Sequence, residues 1–240
     1  MALPRFTAAP ARLPPGQRVY AVGDVHGCAT RLAELHRLIA ADCAARPVAA
    51  ASLVHVGDYV DRGPDSRAVI EMLSAGPKPA GLPAVNLTGN HEQMLLKTLA
   101  SLDPDDIEVW LANGGEETLA SWGIDWNAPP EDWGAAFAAA ELAFMRDLAL
   151  MHRAGPYLFV HAGIRPGLAL ERQSRDDLLW IREPFLSSDA DFGAVVVHGH
   201  TPVAAPLVRP NRIDIDTGAY LGGDLTCAIL EEDRIGFLFA

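Results

Sequence analysis

The chain has 240 residues and half of them are hydrophobic, which is enough to bury a sizeable core within one large domain. Its 19 lysines and arginines against 31 aspartates and glutamates give a net charge of −12, which argues against a general affinity for nucleic acid or membrane surfaces. Three cysteines without CxxC spacing indicate neither a disulfide framework nor a thiolate zinc site, and we expect a reducing, cytoplasmic location.

The chain begins with a proline-containing segment, residues 1–16, that we predict to be a flexible tail before a single domain over 17–240. Apolar runs that enter glycine-rich loops then alternate with segments of helical spacing. The predicted elements, in order, are a strand at 18–22, a helix at 30–42, a strand at 53–56, a helix at 64–73 and a strand at 85–87. Strands that alternate with helices predict an α/β fold.

A helical, alanine-rich insertion is predicted over about 95–151. It contains four of the five tryptophans, which we interpret as packing residues of this layer because tryptophan side chains are usually largely buried. A β-rich half follows, and its predicted strands are 157–160, 194–197, 212–215, 225–230 and 235–240.

Five short motifs carry residues that can bind metals. They are Gly-Asp-Val-His-Gly from Gly23, Gly-Asp-Tyr-Val-Asp-Arg-Gly from Gly57, Gly-Asn-His-Glu from Gly89, His-Ala-Gly from His161 and His-Gly-His-Thr from His198. The first three follow predicted strands, where functional groups of α/β sheets gather. A single such motif is more often a turn, but a structural role alone would not explain all five together.

The ligand types predict two cation sites. Asp24 and His26 stand two residues apart, so both can reach one cation from an extended loop. A second cation could bind Asn90, His161 and His200, with Asp58 bridging the pair. This mixture of carboxylate, amide and imidazole ligands suits Mn, Fe or Zn. Two neighbouring metals can share a water, lower its pKa and hold a phosphoryl group for in-line displacement.

Three further residues fit phosphoryl chemistry. His91 can protonate a leaving oxygen, and Asp61 could orient its ring and raise its pKa. Arg62 offers a planar guanidinium for two phosphate oxygens, although an isolated arginine is usually a surface ion-pair partner.

In this order the five motifs resemble the phosphoprotein phosphatase family of metallophosphoesterases, and more narrowly its bacterial and phage-type serine/threonine protein phosphatases. The resemblance implies a metallophosphoesterase-type β-sandwich flanked by helices, with Asp24, His26 and Asp58 on one metal and Asp58, Asn90, His161 and His200 on the other. It also implies manganese as the activating ion and direct attack by a hydroxide that bridges the two metals. Arg182 is assigned to the phosphate with Arg62 on this resemblance alone, against an ion pair with Glu183 or Asp177.

We therefore predict a metal-dependent phosphatase for phosphomonoesters, with phosphoserine and phosphothreonine of proteins or a small phosphoester as substrate. An alternative is symmetrical hydrolysis of diadenosine tetraphosphate, although the motif of that relative usually lacks the aspartate found here as Asp61. A non-catalytic metal-binding or phosphate-binding module would be expected to have lost His91, Asp61 or a metal ligand. The cysteines lack the downstream arginine of a thiolate phosphatase, and no P-loop motif is present.

Overall fold

Two β-sheets pack face to face with helices on both outer sides in the computed structural model, which describes residues 4–75 and 79–240. The strands are β1 (Phe6–Ala8), β2 (Gln17–Val22), β3 (Ala50–His55), β4 (Ala84–Asn86), β5 (Met151–Ala154), β6 (Tyr157–Val160), β7 (Val195–His198), β8 (Leu207–Val208), β9 (Arg212–Asp214), β10 (Thr226–Glu231) and β11 (Arg234–Phe239). The helices are α1 (Ala29–Ala45), α2 (Ser66–Ser74), α3 (Asn90–Ser101), α4 (Pro104–Trp110), α5 (Glu116–Ser121), α6 (Pro130–Trp133), α7 (Ala139–Arg146) and α8 (Arg175–Trp180).

Each sheet contains three parallel strands. The six-stranded sheet has the order β1-β11-β10-β2-β3-β4, and β2, β3 and β4 run parallel. The five-stranded sheet has the order β5-β6-β7-β9-β8, and β6, β7 and β9 run parallel. Loops at the carboxyl ends of parallel strands share one edge of a sheet, so this topology can bring distant motifs together. The predicted α/β sandwich is therefore confirmed.

Successive residues of a strand pack into different hydrophobic cores on the two faces of its sheet. Along β2, Val19 and Ala21 face the core between the sheets, whereas Tyr20 and Val22 face the helices that cover the six-stranded sheet. A third core lies between the five-stranded sheet and α8. Because β2 is buried on both faces, its sequence reads as one apolar run rather than as an alternating pattern.

The predicted helical insertion is confirmed by the segments from α3 to α7. Trp110, Trp122 and Trp133 are buried in the core on this side, while Trp126 remains 46% exposed. A kinked turn over 111–115 joins α4 to α5. None of the helices over 4–75 and 79–240 is both long and apolar enough to cross a membrane.

The prediction of a flexible tail over 1–16 is wrong for residues 4–16, and residues 1–3 lie outside the described part. Phe6–Ala8 forms β1 and pairs with β11 at the edge of the six-stranded sheet. Leu13 is fully buried in the core between the sheets, and the carbonyl of Ala11 accepts a hydrogen bond from Tyr157 at 2.6 Å. Prolines restrict this segment but do not prevent edge pairing, because strand edges tolerate interrupted ladders.

Candidate active site

The six predicted metal ligands converge at one end of the sandwich, and each is between 0 and 6% exposed. They come from five connections that follow parallel strands. Asp24 and His26 follow β2, Asp58 follows β3, Asn90 begins α3 after β4, His161 follows β6, and His200 follows β7. Burial of so many polar groups is costly unless hydrogen bonds or a metal compensate.

Backbone strain concentrates in these connections. Eight non-glycine residues in the described part of the chain have positive φ angles, and five of them are predicted site residues. Those five are His26, Asp58, Asp61, Arg62 and His200, with φ between 42° and 70°. Such conformations cost free energy and persist where the surrounding structure enforces them, as at functional sites.

The first cluster of possible metal ligands contains His26, Asp58 and His91. Nδ1 of His26 donates to the carbonyl of Val60 at 2.9 Å, which leaves a lone pair on Nε2 of the neutral ring. That Nε2 lies 3.4 Å from Oδ2 of Asp58. Two electron-pair donors that face each other at this distance form half of a cation site.

The second cluster contains Asp58, His161 and His200, with Asn90 between the two rings. Nδ1 of His161 donates to the carbonyl of Val56 at 3.1 Å, so its Nε2 also carries a lone pair. This Nε2 lies 2.8 Å from Oδ1 of Asn90 and 3.3 Å from Oδ2 of Asp58. Asp58 therefore belongs to both clusters.

Buried carboxylates crowd the centre. Burial and the neighbouring charges of Asp216 and Asp58 raise the pKa of Asp24 well above its ordinary value. Oδ2 of Asp24 accepts from the backbone N–H of His200 at 2.9 Å, but Oδ1 is buried without a hydrogen-bond partner in the described structure. Bound cations would reduce the repulsion between these carboxylates and would give Oδ1 of Asp24 a partner.

The imidazoles also suit metal binding, because a metal ligand must be a neutral ring. Burial lowers the pKa of His26 well below its ordinary value. Burial lowers the pKa of His200 to about 3. Nε2 of His200 is a further buried atom with no hydrogen-bond partner among residues 4–75 and 79–240. Divalent cations therefore suit this site, because it contains buried polar atoms without partners, electron pairs that face each other and imidazoles with lowered pKa values.

His91 and Asp61 form a buried pair beside these clusters. Nδ1 of His91 donates to Oδ2 of Asp61 at 2.7 Å, and its Nε2 lies 3.9 Å from Oδ2 of Asp58. Burial alone would lower the pKa of His91, but the charge of Asp58 and the hydrogen bond to Asp61 raise it above its ordinary value. The distances place His91 within reach of the first cluster as well as in contact with Asp61.

Arg62 extends over the first cluster. One guanidinium nitrogen, Nη1, lies 3.1 Å from Nε2 of His26. Its Cζ atom lies 4.7 Å from the ring centroid of Tyr220, a residue that the motifs did not indicate. The Tyr220 ring also meets His26 edge to face, with centroids 4.9 Å apart. Tyr220 follows β9 in a short turn, so only the folded chain reveals its place here.

Arg182 is an exposed residue whose positive charge acts on His200. It forms no ion pair with any residue of the described chain. Arg165 instead pairs with Asp177, with Nε and Oδ2 3.0 Å apart. Glu183 accepts from Ser187. The ion-pair alternative for Arg182 is thus not realised.

Glu92 is the principal site residue for which the motifs suggested no role. Its fully buried carboxylate accepts from the backbone N–H groups of Asp58 at 3.0 Å, Tyr59 at 2.6 Å, Val60 at 3.2 Å and Gly89 at 2.8 Å. Burial and the charge of Asp58 raise the pKa of Glu92 to about 7. Glu92 therefore ties the loop after β3 to the start of α3. Its place as the last residue of the Gly-Asn-His-Glu motif was the signal in the sequence that could have indicated this role.

The site opens next to a cleft of about 570 Å³ between α3, α4 and α8. Val109 and Trp180 give it apolar surface, and Lys97 pairs with Asp106 on its wall. The ring centroids of Trp180 and His200 lie 6.2 Å apart. The helical insertion therefore lines a cleft that lies beside His200.

The calcineurin-like phosphoesterase model matches residues 17–240. The chain belongs to this family. The match covers both sheets apart from β1 and includes all of the predicted site residues. Members of this family of hydrolases use a dinuclear divalent metal centre, and the two clusters above could hold one.

Several known proteins share sequence or fold with this calcineurin-like phosphoesterase. Serine/threonine-protein phosphatase 1 of Salmonella typhimurium is 32% identical over 226 residues, which cover 90% of this chain and 93% of the relative. A symmetrical bis(5'-nucleosyl)-tetraphosphatase of Methylococcus capsulatus is 32% identical over 152 residues, which are 62% of this chain but only 44% of the relative. The crystal structure of a candidate diadenosine tetraphosphatase superposes with a TM-score of 0.66 at 22% identity, over 98% of this chain and 99% of that chain.

Proposed function

We propose that this calcineurin-like phosphoesterase is a phosphatase that hydrolyses phosphomonoesters, with phosphoserine and phosphothreonine of proteins as substrates. The hydrogen bond of 2.7 Å between His91 and Asp61, next to the two ligand clusters, is the observation that carries this proposal. A serine or threonine alkoxide is a poor leaving group, so its departure depends strongly on a positioned acid.

Each residue proposed as a metal ligand has an electron pair that lacks a hydrogen-bond partner or that faces the electron pair of another ligand. One cation would bind Asp24, His26 and Asp58, and the other would bind Asp58, Asn90, His161 and His200. Bound divalent cations lower the pKa of a shared water and neutralise charge on the phosphoryl group. Manganese is the ion that we propose, on the resemblance of the motifs, and Fe or Zn would suit the same ligands.

The chain's own residues divide the remaining work. His91 donates a proton from Nε2 to the leaving oxygen while Asp61 holds Nδ1 and fixes the ring orientation. Arg62 and Arg182 bind the non-bridging phosphate oxygens, since a guanidinium matches two oxygens at once. The cleft beside Trp180 would receive the peptide that flanks the phosphorylated residue.

Symmetrical hydrolysis of diadenosine tetraphosphate is the second candidate, because tetraphosphatases match this chain in sequence and in fold. Its leaving group is a nucleotide phosphate, which departs more easily than an alkoxide and has less need of a general acid. The hydrogen-bonded pair of Asp61 and His91 therefore favours phosphomonoesters over the dinucleotide as substrates.

The test is a substrate panel with Mn²⁺ and purified protein. It compares phosphoserine, phosphothreonine and phosphotyrosine peptides with diadenosine tetraphosphate, and p-nitrophenyl phosphate serves as the general probe. We expect turnover of p-nitrophenyl phosphate that a chelator abolishes, and higher kcat/KM for the phosphoserine and phosphothreonine peptides than for the dinucleotide. A reversed preference would favour the second candidate, and activity that survives complete metal removal would contradict both.

A further inference from the structure

The carboxylate of Asp61 is surrounded by hydrogen-bond donors from the helical insertion. Nε1 of Trp110 lies 3.0 Å from Oδ1 and 3.1 Å from Oδ2 of Asp61. The hydroxyl of Thr118 donates to Oδ1 at 2.6 Å. Both Asp61 and Trp110 are fully buried, so these contacts replace water around the carboxylate. Trp110 therefore packs in the core, as predicted, and in addition donates its indole N–H to Asp61.

The insertion and the start of α2 also fix the backbone of this loop. The N–H of Asp61 donates to the hydroxyl of Thr118 at 2.8 Å and to that of Ser66 at 3.1 Å. The N–H of Arg62 donates to the carbonyl of Gly114 at 3.1 Å. Gly114 lies in the kinked turn over 111–115 with a φ of 98°, and a Cβ there would approach the backbone nitrogen of Arg62 to 2.5 Å.

We propose that Trp110 and Thr118 are positioning residues for the pair of Asp61 and His91. They hold the carboxylate so that Oδ2 points to Nδ1 of His91, which directs Nε2 of that ring towards the clusters. This inference rests on the proposed function, because it assigns a role in proton donation by His91. Without these donors the carboxylate would be buried with unmet hydrogen bonds, and its orientation would no longer be defined.

The helical insertion also provides a matched control. Nε1 of Trp122 donates to the carboxylate of Glu141 at 2.9 Å, away from the ligand clusters. Trp122 is 6% exposed and Trp110 is fully buried, so replacement of either by phenylalanine removes one buried indole N–H from a carboxylate. Only the Trp110→Phe change touches Asp61. Thr118→Val removes the hydroxyl at nearly constant shape, and Thr118→Ser retains it.

The experiment compares phenyl phosphate, a poor leaving group, with p-nitrophenyl phosphate, a good one, at one pH with Mn²⁺. Trp110→Phe and Thr118→Val are expected to lower kcat on phenyl phosphate roughly tenfold more than on p-nitrophenyl phosphate, the size of one hydrogen bond to a charged group. Thr118→Ser and Trp122→Phe should keep the wild-type ratio of the two rates. Equal losses on both substrates in Trp110→Phe and Thr118→Val would overturn the positioning role.

A second measurement does not depend on turnover. In the metal-free protein, the proton that His91 shares with Asp61 should give a downfield NMR signal that is absent in His91→Asn. We expect this signal to shift or broaden in Trp110→Phe and Thr118→Val but not in Trp122→Phe, and an unchanged signal in the first two would contradict the inference. A wild-type protein that hydrolyses neither ester would contradict the proposed function, and the NMR comparison would then decide the positioning role by itself.

Discussion

The ring of Tyr220 lies against the guanidinium of Arg62, with 4.7 Å between Cζ and the ring centroid. Cation–π contact of this kind restrains an arginine while its N–H groups remain free for a ligand. The same ring meets His26 edge to face. Tyr220 therefore holds Arg62 over the first cluster.

Tyr220→Leu should weaken phosphate binding, whereas Tyr220→Phe should not, because phenylalanine keeps the ring. We expect roughly a tenfold lower kcat/KM and a correspondingly higher inhibition constant for inorganic phosphate in Tyr220→Leu, the scale of one cation–π contact. Steady-state kinetics on p-nitrophenyl phosphate check this. An equal loss in both variants would show that the hydroxyl matters and the ring contact does not, and no loss in either would contradict the prediction.

Gly199 lies against one of the proposed ligands, since a Cβ at this position would come 1.9 Å from Oδ1 of Asp24. Gly199→Ala should therefore displace that carboxylate and weaken Mn²⁺ binding by about tenfold or more, the range seen when support of a ligand is lost. Electron paramagnetic resonance of free Mn²⁺ measures the affinity. Gly134→Ala is the control, because its Cβ would meet no atom within 4 Å, and equal affinity of both variants with wild type would contradict the prediction.

His91→Asn removes the proposed acid but leaves the proposed metal ligands in place. We expect kcat on phenyl phosphate to fall by about 10²–10⁴, the usual contribution of a general acid, with a smaller loss on p-nitrophenyl phosphate. Mn²⁺ affinity should remain close to that of wild type. If the variant lost metal instead, His91 would be a ligand of the first cluster.

The strand ends could be predicted from sequence because apolar runs stop at polar, glycine-rich motifs. The strand predicted at 157–160 coincides with β6, and the three early strands differ from β2, β3 and β4 by one to three residues at their ends. The contacts of Trp110, Thr118 and Tyr220 could not be predicted, because they join segments at least 49 residues apart that only the tertiary fold brings together. Local patterns carry no information on such pairs.

Substitution of Leu13 would test whether the N-terminal segment is packed against the sheets. Its side chain is fully buried between the sheets, so Leu13→Ala should lower the free energy of unfolding by about 2–4 kcal/mol through lost burial and a residual cavity. Denaturant unfolding measures this value. Val208→Ala, at a position that is 38% exposed, should cost much less. A change below the error of the measurement for Leu13→Ala would restore the prediction of a tail without stable packing.

Glu231 forms a charged cluster that joins β10 to β2 and α1. Its carboxylate accepts from Nε of Arg18 at 2.7 Å and from Nη1 of Arg46 at 2.8 Å. Burial opposes ionisation, but these arginines and Arg234 lower the pKa of Glu231 to about 2. Arg18 is 2% exposed, so loss of Glu231 would leave its buried positive charge with only the longer contact to Asp42, at 3.6 Å.

Glu231→Gln should therefore destabilise the protein by roughly 3 kcal/mol at pH 7, the cost of removing one partner from a buried ion pair. Because the folded-state pKa of Glu231 lies below the unfolded value of about 4.3, this contribution is complete above that value and is lost as the pH falls towards 2. Urea unfolding at pH 7, 5, 4 and 3 should show the difference between wild type and Glu231→Gln shrinking only below about pH 4.3. Glu34→Gln, on the exposed face of α1, should show little difference at any pH, and a difference for Glu231→Gln that stayed constant down to pH 3 would show that the charge of Glu231 does not stabilise the fold.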